Sequence, residues 1–226
     1  VNTVGLCMTV SRDEVCVRCE TTMECARGHA ERLIETVDWV LRQGGATLAD
    51  VDMLAISAGP GSFTGLRIGV ATFKGLAFAC EKPLYAVPTL DALARAAGLH
   101  EGTLCPLIDA RMGEVYGAVF DFRDGRREVR IPAQVGTVAS LLAPVEGLVH
   151  FTGDGAARYR AGIEALLPRA VFAPAWRSLP SAASVAAEAW ALAASGGASC
   201  DADAIAPVYL RQAKVDLRGL VGAHGA

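Results

Sequence analysis

The chain has few histidines and no excess of positive charge. Its 226 residues include only 4 His, and 21 Lys and Arg stand against 24 Asp and Glu, for a net charge of −3. No basic cluster is dense enough to neutralise a nucleic-acid backbone, so we expect weak binding of nucleic acid by the isolated chain. The longest apolar runs fall short of a membrane span, and we expect a soluble, cytoplasmic protein.

The cysteines form no recognisable metal or disulfide pattern. There are 7, an odd number at irregular spacing without a secretory signal, which is typical of small buried hydrophobic residues in a reducing cytosol. Cys16 and Cys19 form a C-x-x-C pair, but no second pair and no His pair at zinc spacing accompanies it. We therefore expect no metal and no redox chemistry at this pair.

Apolar residues are abundant. They make up 52% of the chain, enough to form a packed core in one large domain or in two compact lobes of about 100 residues each. The chain begins at Val1 in a predicted strand, so we expect that it lacks its natural start.

The most informative stretch is a glycine-rich turn between a short apolar strand and an apolar helix. Gly59, Gly61 and Gly65 allow positive φ, and Ser62 or Thr64 can cap the helix start. Backbone N–H groups at a helix start can bind an anion. Because no Gly-Lys-Ser/Thr follows, the segment is not a P-loop, and a purely architectural turn is the favoured interpretation.

The helix after this turn is apolar on two faces. Leu66, Val70, Phe73 and Ala77 form a core face. The opposite stripe consists of small and apolar side chains: Ile68, Ala71, Thr72, Gly75 and Ala79. Two basic residues and one aromatic residue lie along its edge: Arg67, Lys74 and Phe78. Small residues allow another helix to approach closely. The pattern predicts that this stripe is covered, either by the chain's own first helix or by a different protein.

The first helix is predicted from Gly28 to about Arg42, with an apolar face that includes Ile34. Trp39 departs from the pattern and projects from the polar side. It is either a contact at the rim of the fold, which we favour, or an anchor for a partner.

The second half of the chain repeats the opening hairpin pattern, which indicates an internally duplicated fold. Asp109, Arg111 and Glu114 lie in the second hairpin and form either an acid/base set or, as we favour, an internal salt bridge that locks the turn. The Gly153-Asp154-Gly155 turn is a weak phosphate-loop signal, and a structural turn is favoured.

Three separated phrases, around Gly59, Asp109 and Tyr209, resemble the TsaB (YeaZ) family, the partner subunits of the bacterial machinery that makes threonylcarbamoyladenosine in tRNA. The resemblance implies an α/β fold of the duplicated actin/hexokinase-like type (ASKHA, ribonuclease H-like) with two lobes. We expect lobes at residues 1–102 and 103–226, with room for a C-terminal helix to pack back on the first.

The resemblance also implies that the chain binds other subunits and does not itself catalyse a reaction. We expect a subunit without catalytic residues or cofactor that binds and activates a TsaD-type threonylcarbamoyltransferase, with a TsaE-type ATPase as further partner. We expect a homodimer when the chain is alone, and tRNA contact only through the complex. The residues expected at the interface are Arg67, Ile68, Ala71, Thr72, Lys74, Gly75, Phe78, Ala79 and Trp39.

Departures from active relatives weaken an enzymatic alternative. Asn2-Thr3 stands where phosphate-binding relatives have Asp followed by Thr or Ser, and Thr89 and Leu93 stand where TsaD has a His-x-x-x-His metal pair. A leucine cannot coordinate a metal. The alternative is a small-molecule kinase of the same fold or a glycoprotease-like metallopeptidase.

Overall fold

The computed structural model describes residues 2–11, 14–23 and 29–197, together with 199 and 210, and its side chains are described within 16–23 and 32–197. The side chains of Asn2 and Thr3, and the closing phrase at Tyr209, lie outside the described residues. The first half contains β1 Asn2–Ser11, β2 Glu14–Met23, α1 His29–Gln43, β3 Leu54–Gly59, α2 Phe63–Cys80, β4 Leu84–Pro88 and α3 Thr89–Ala97. The second half contains β5 Gly102–Arg111, β6 Glu114–Arg123, β7 Arg126–Gly136, α4 Val138–Leu142, β8 Val149–Thr152, α5 Asp154–Arg158, α6 Arg160–Leu166, β9 Val171–Phe172 and α7 Ala182–Ala194.

The two halves repeat one order of elements. In the first half, the antiparallel β1–β2 hairpin is followed by α1, β3, α2, β4 and α3, and β3 pairs in parallel with β4. In the second half, a sheet of order β7-β6-β5-β8-β9 begins with an antiparallel hairpin and adds β8 and β9 in parallel. α3 and α7 close the two repeats, and they pack against each other. The duplication that the sequence predicts is therefore confirmed.

Helix α3 lies at the centre of the molecule. On one side, Leu90 and Leu93 pack with Leu104 and Phe120 of the five-stranded sheet. On another side, residues of β4 and α3 pack with α7, in a cluster made of Val87, Ala92, Val185 and Ala189. Because both sides of this helix are covered, it connects the two halves through apolar contacts.

The other face of the five-stranded sheet is covered by α4 and α6. Phe151 and Val149 from β8 pack there with Leu107, Leu141 and Ile163, all of them buried. This cluster contains the large aliphatic and aromatic side chains that give a domain its core. Each face of the sheet is thus covered by helices, as in an α/β fold.

Helix α7 lies against α3 and the strands β1 to β4 of the first half. The side chain of Ser181 caps its start by accepting the N–H of Ser184 at 3.0 Å. The carboxylate of Glu20 on β2 accepts the N–H of Ala183 at 2.8 Å, which satisfies another of the donors left open at a helix start. A division of the chain at residue 102 stays a prediction.

Some sequence expectations need correction. Among the described cysteines Cys105 is buried, but Cys16 is exposed, so burial was wrongly expected for the latter. Burial raises the pKa of the Cys105 thiol. After the Gly153 turn, the chain forms two short helices, α5 and α6, that are divided at Tyr159.

Helix α2 is the one candidate for a membrane span among the described residues. It has 18 residues and is apolar enough to cross a membrane by length and composition alone. One such helix is weak support for a span, because helices of soluble proteins pass the same test. Val70 and Ala77 attach α2 to the β3–β4 pair, and Arg67 and Lys74 interrupt its apolar sequence.

Candidate functional site

Helix α2 packs against the β3–β4 pair through one side of the helix. Val70 and Ala77 pack with Leu54 of β3 and Leu84 of β4. Its start is capped by Ser62, whose hydroxyl accepts the Gly65 N–H at 3.3 Å. Among the 18 residues of the helix, only Gly69, Val70 and Ala77 are buried, so most of the helix surface is not covered by the described residues.

Helix α1 covers one flank of α2. Leu33 and Val40 of α1 are buried in a cluster that includes Ile68 and Phe73 of α2. Ile68 is therefore half-buried within the chain, as are Thr72 and Lys74. The sequence placed Ile68 in the same stripe as Ala71 and Gly75, but the structure places it beneath α1.

The described residues leave the remaining stripe of α2 uncovered. Ala71, Gly75, Phe78 and Ala79 are exposed, and Phe78 has 82% of its surface accessible. A Cβ built on Gly75 would meet no atom within 4 Å. Small side chains beside a protruding aromatic ring allow a second helix to pack closely while the ring enters a pocket. We call Ala71, Gly75, Phe78 and Ala79 the α2 stripe.

The borders of the α2 stripe carry further apolar surface. The guanidinium of Arg67 lies 3.8 Å from the ring centroid of Phe63, a cation–π contact at the first turn. On α1, Ile34 is 47% and Trp39 is 45% exposed, so Ile34 does not belong to the buried face on which the sequence placed it. These two residues lie about 140° apart around the helix. They therefore lie on different flanks of α1, and one flat surface cannot contact both equally.

The glycine turn before α2 is held by internal contacts. Gly59 has φ 119° and is buried together with Pro60. The hydroxyls of Ser57 and Thr89 lie 2.7 Å apart, which ties the end of β3 to the start of α3. These contacts favour the architectural interpretation of the turn over an anion site.

The positions at which the family resemblance implies a metal pair in TsaD are part of the core in this chain. Thr89 is buried and hydrogen-bonded to Ser57, and Leu93 is buried against the five-stranded sheet. Among the side chains that the structure describes, no group of three or more His, Cys, Asp or Glu could hold a metal ion. Leu93 fills this place with an apolar side chain, which has no atom that coordinates a metal.

The hairpin between β5 and β6 carries an internal salt bridge. Asp109 has a side chain that is only 7% exposed, and its carboxylate lies 3.5 Å from the Arg111 guanidinium. The same carboxylate accepts the Arg111 N–H at 3.0 Å. Of the three residues Asp109, Arg111 and Glu114, the salt bridge that was favoured for this turn is confirmed for Asp109 and Arg111. Two partners from α5 and its end were not anticipated: Arg158 at 3.6 Å and the Tyr159 hydroxyl at 3.2 Å.

The turn after β8 lies directly on β5. Gly153 has φ 99°, and a Cβ built there would overlap the carbonyl oxygen of Leu107 and lie 2.9 Å from its carbonyl carbon. A Cβ on Gly155 would lie 2.9 Å from the carbonyl carbon of Ile108. The Asp154 carboxylate accepts the Asp109 N–H at 3.0 Å. The glycines therefore allow the backbone of the turn to pack directly on the strand, which agrees with the favoured interpretation as a structural turn. No gap for a phosphate remains between the turn and the strand.

Comparison with known families covers most of the chain. Residues 23–216 match the model of a family described as TsaD, tRNA N6-adenosine threonylcarbamoyltransferase. The chain is 44% identical over 98 residues to the tRNA threonylcarbamoyladenosine biosynthesis protein TsaB of Escherichia coli, an alignment that covers 42% of each chain. It is 31% identical over 144 residues to the TsaB protein of Bacillus subtilis, covering 62% of this chain and 63% of that protein. These alignments therefore span less than two thirds of the curated relatives.

Solved structures are similar over a longer range. A Pseudomonas aeruginosa protein described as uncharacterized, with similarity to peptidase YEAZ, superposes with a TM-score of 0.71 at 31% identity and covers 85% of this chain and 88% of that one. YeaZ from the same organism superposes with a TM-score of 0.69 at 30% identity. The match of the family model across both halves, the named relatives and the shared duplicated α/β fold agree: the chain belongs to the TsaB (YeaZ) family and has its actin/hexokinase-like architecture.

Proposed function

We propose that this chain is a non-catalytic subunit that binds a TsaD-type threonylcarbamoyltransferase and holds it in an active arrangement. The reaction served is the formation of threonylcarbamoyladenosine next to the anticodon of tRNA, in the cytoplasm. A TsaE-type ATPase is the further partner, and tRNA meets this chain only within the complex. The observation that carries the proposal is the open α2 stripe, an apolar helix surface that the described residues leave uncovered.

The energetics of the stripe favour a protein partner. Complete burial of a phenylalanine side chain contributes about 1.5–3 kcal/mol, and Phe78 is almost wholly available for it. A stable interface buries about 800 Å² on each partner, which exceeds what one helix stripe presents. Further residues must contribute, and Arg67, Lys74 and one of the exposed α1 residues, Ile34 or Trp39, lie on the same two helices.

The residues at the positions where active relatives have functional groups support a non-catalytic role. Leu93 replaces a metal ligand with a core side chain, and the turn at Gly153 is packed against β5. A metallopeptidase or a kinase of this fold would use these two places. Tight binding of Mg-ATP in isothermal titration, or stoichiometric zinc in the purified protein, would favour an enzyme and contradict the proposal.

The same apolar surface supports a proposal of self-association. When the TsaD-type subunit is missing, two copies of the chain can cover their α2 stripes against each other, because an exposed apolar patch is costly in water. We therefore propose a homodimer for the isolated protein, which the TsaD-type subunit displaces.

Ala71→Glu tests the interface. The substitution places a charge in the middle of the α2 stripe, where burial against a partner would leave it unpaired. Because Ala71 is exposed on a helix, the fold should be retained, with an unchanged circular dichroism spectrum. Ala165→Glu is the matched control, since Ala165 is an exposed alanine on α6, outside the two interface helices.

Co-purification with the TsaD-type subunit of the same host is the measurement. We expect the control to be retained and Ala71→Glu to be lost, with the variant monomeric when alone. Equal retention of both variants would contradict the assignment of the interface.

A further inference from the structure

One carboxylate is buried in a helix that otherwise carries no charge. Helix α7 is rich in alanine, and Glu188 is its single charged residue, with a side chain that is 8% exposed. Its Oε1 accepts from Arg95 Nε at 2.7 Å and from Arg127 Nη1 at 2.9 Å, and its Oε2 accepts from Arg127 Nη2 at 3.1 Å. The two guanidinium groups satisfy both oxygens of the carboxylate.

Arg127 reaches Glu188 from the five-stranded sheet. It lies on β7, the edge strand of the five-stranded sheet. Besides Glu188, it binds α3 twice, donating from Nη1 to the Asp91 carbonyl at 3.1 Å and pairing Nη2 with the Asp91 carboxylate at 2.9 Å. Its guanidinium also lies 5.1 Å from the ring centroid of Phe120. One side chain thus joins the sheet to both α3 and α7.

The charges in this cluster balance, but their burial is costly. Arg95 and Arg127 offset Asp91 and Glu188. Burial raises the pKa of Asp91 above its ordinary value, against the opposing effect of Arg127. Buried ion pairs of this kind often add little net stability compared with apolar packing, and their best-supported role is to select one arrangement of the parts that they join.

We propose that Arg127, held by Asp91 and Glu188, is a clamp that fixes the orientation of the five-stranded sheet relative to the first half of the chain. Two-lobed proteins that bind ligands commonly close by hinge motion. The apolar contacts of α3 allow small sliding, whereas the forked pairing of Arg127 with Glu188 is satisfied in one geometry. The clamp makes the molecule a single rigid body that presents the α2 stripe and the sheet in a fixed relation, whichever partner binds.

Residual dipolar couplings of the ¹⁵N-labelled protein test the clamp, because they report the orientation of each half separately. In the wild-type protein, couplings from β3, β4 and α2 and those from β5 to β8 should fit one alignment tensor. In Arg127→Met, the two sets should require different tensors, with a smaller magnitude for one of them. Arg130→Met is the matched control: Arg130 lies on the same strand, and its charge pairs only loosely with Asp121, at 3.8 Å.

A loss of stability alone would not distinguish a clamp from an ordinary contact. The comparison of the alignment tensors of the two halves does distinguish them. A single tensor in Arg127→Met, as in the control, would overturn the proposal and assign the fixed orientation to α3 packing. If Arg127→Met does not fold, Glu188→Gln decides in the same way, because it keeps the side-chain shape and removes the charge.

Discussion

Gly153→Ala places a methyl group where the turn after β8 meets β5. Two costs add at this position. The backbone of Gly153, with φ 99° and ψ 162°, lies in a region that essentially only glycine adopts, and alanine there costs about 1–3 kcal/mol. The new Cβ would also overlap the carbonyl oxygen of Leu107, so either the strand or the turn has to move. Overpacking of this kind costs about 1–3 kcal/mol, and we expect a total loss of about 2–6 kcal/mol.

Gly147→Ala separates these two costs. Gly147 has a similar φ of 88°, but a Cβ there would meet nothing within 4 Å, so this variant carries the backbone strain alone. Urea titration followed by circular dichroism gives both free energies of unfolding. For a chain of this length, a difference of 2 kcal/mol between the variants corresponds to about 4–8 °C in melting temperature.

The reasoning would be refuted if Gly153→Ala were no less stable than Gly147→Ala. Such a result would mean that the turn stands away from β5, with space for a phosphate group. It would also remove one of the two reasons for setting the kinase alternative aside.

Further predictions concern buried groups. Iodoacetamide should label exposed Cys16 in the native protein and leave Cys105 unlabelled, as peptide mass spectrometry would show; equal labelling would contradict the burial of Cys105. Glu188→Ala should lower the free energy of unfolding by about 3 kcal/mol in urea titration, since it leaves Arg127 without one partner; a loss below about 1 kcal/mol would contradict this. Burial raises the pKa of Asp91 above 3.8, so the folded state holds this proton more tightly than the unfolded chain, and the contribution to stability falls as pH rises from 3.8 through the folded pKa. In urea titrations at several pH values, the stability of the wild type minus that of Asp91→Asn should drop across this window and then stay constant; a difference that rises with pH would contradict the sign.

The sequence predicted the features that depend on local pattern. Helix α2 was expected to be apolar on two faces, and the structure leaves Phe78 and Ala71 open on one of them. Helical periodicity could not show which flank α1 covers, because that depends on how two helices cross. For this reason the cover of Ile68 was left open between α1 and a partner, and the structure places α1 over it. Ile34 was wrongly placed in the buried face.

Contacts between residues that are far apart in the chain could not be predicted from the sequence. The clamp joins Arg127 to Glu188, 61 residues away, and to Asp91, 36 residues away. A single charged residue in the alanine-rich α7 was the one local signal, since burial of such a residue requires a partner elsewhere. β9 has only 2 residues, too few to show a strand period.

The most direct test of the account is the affinity of the TsaD-type subunit for this chain with Phe78 removed. Phe78→Ser should weaken binding by about 30-fold or more in isothermal titration, as expected for a central anchor. Trp176→Ser is the control, because Trp176 is another highly exposed aromatic residue and belongs to neither α1 nor α2. An affinity of Phe78→Ser equal to that of Trp176→Ser and of the wild type would contradict the claim that the α2 stripe binds the catalytic subunit.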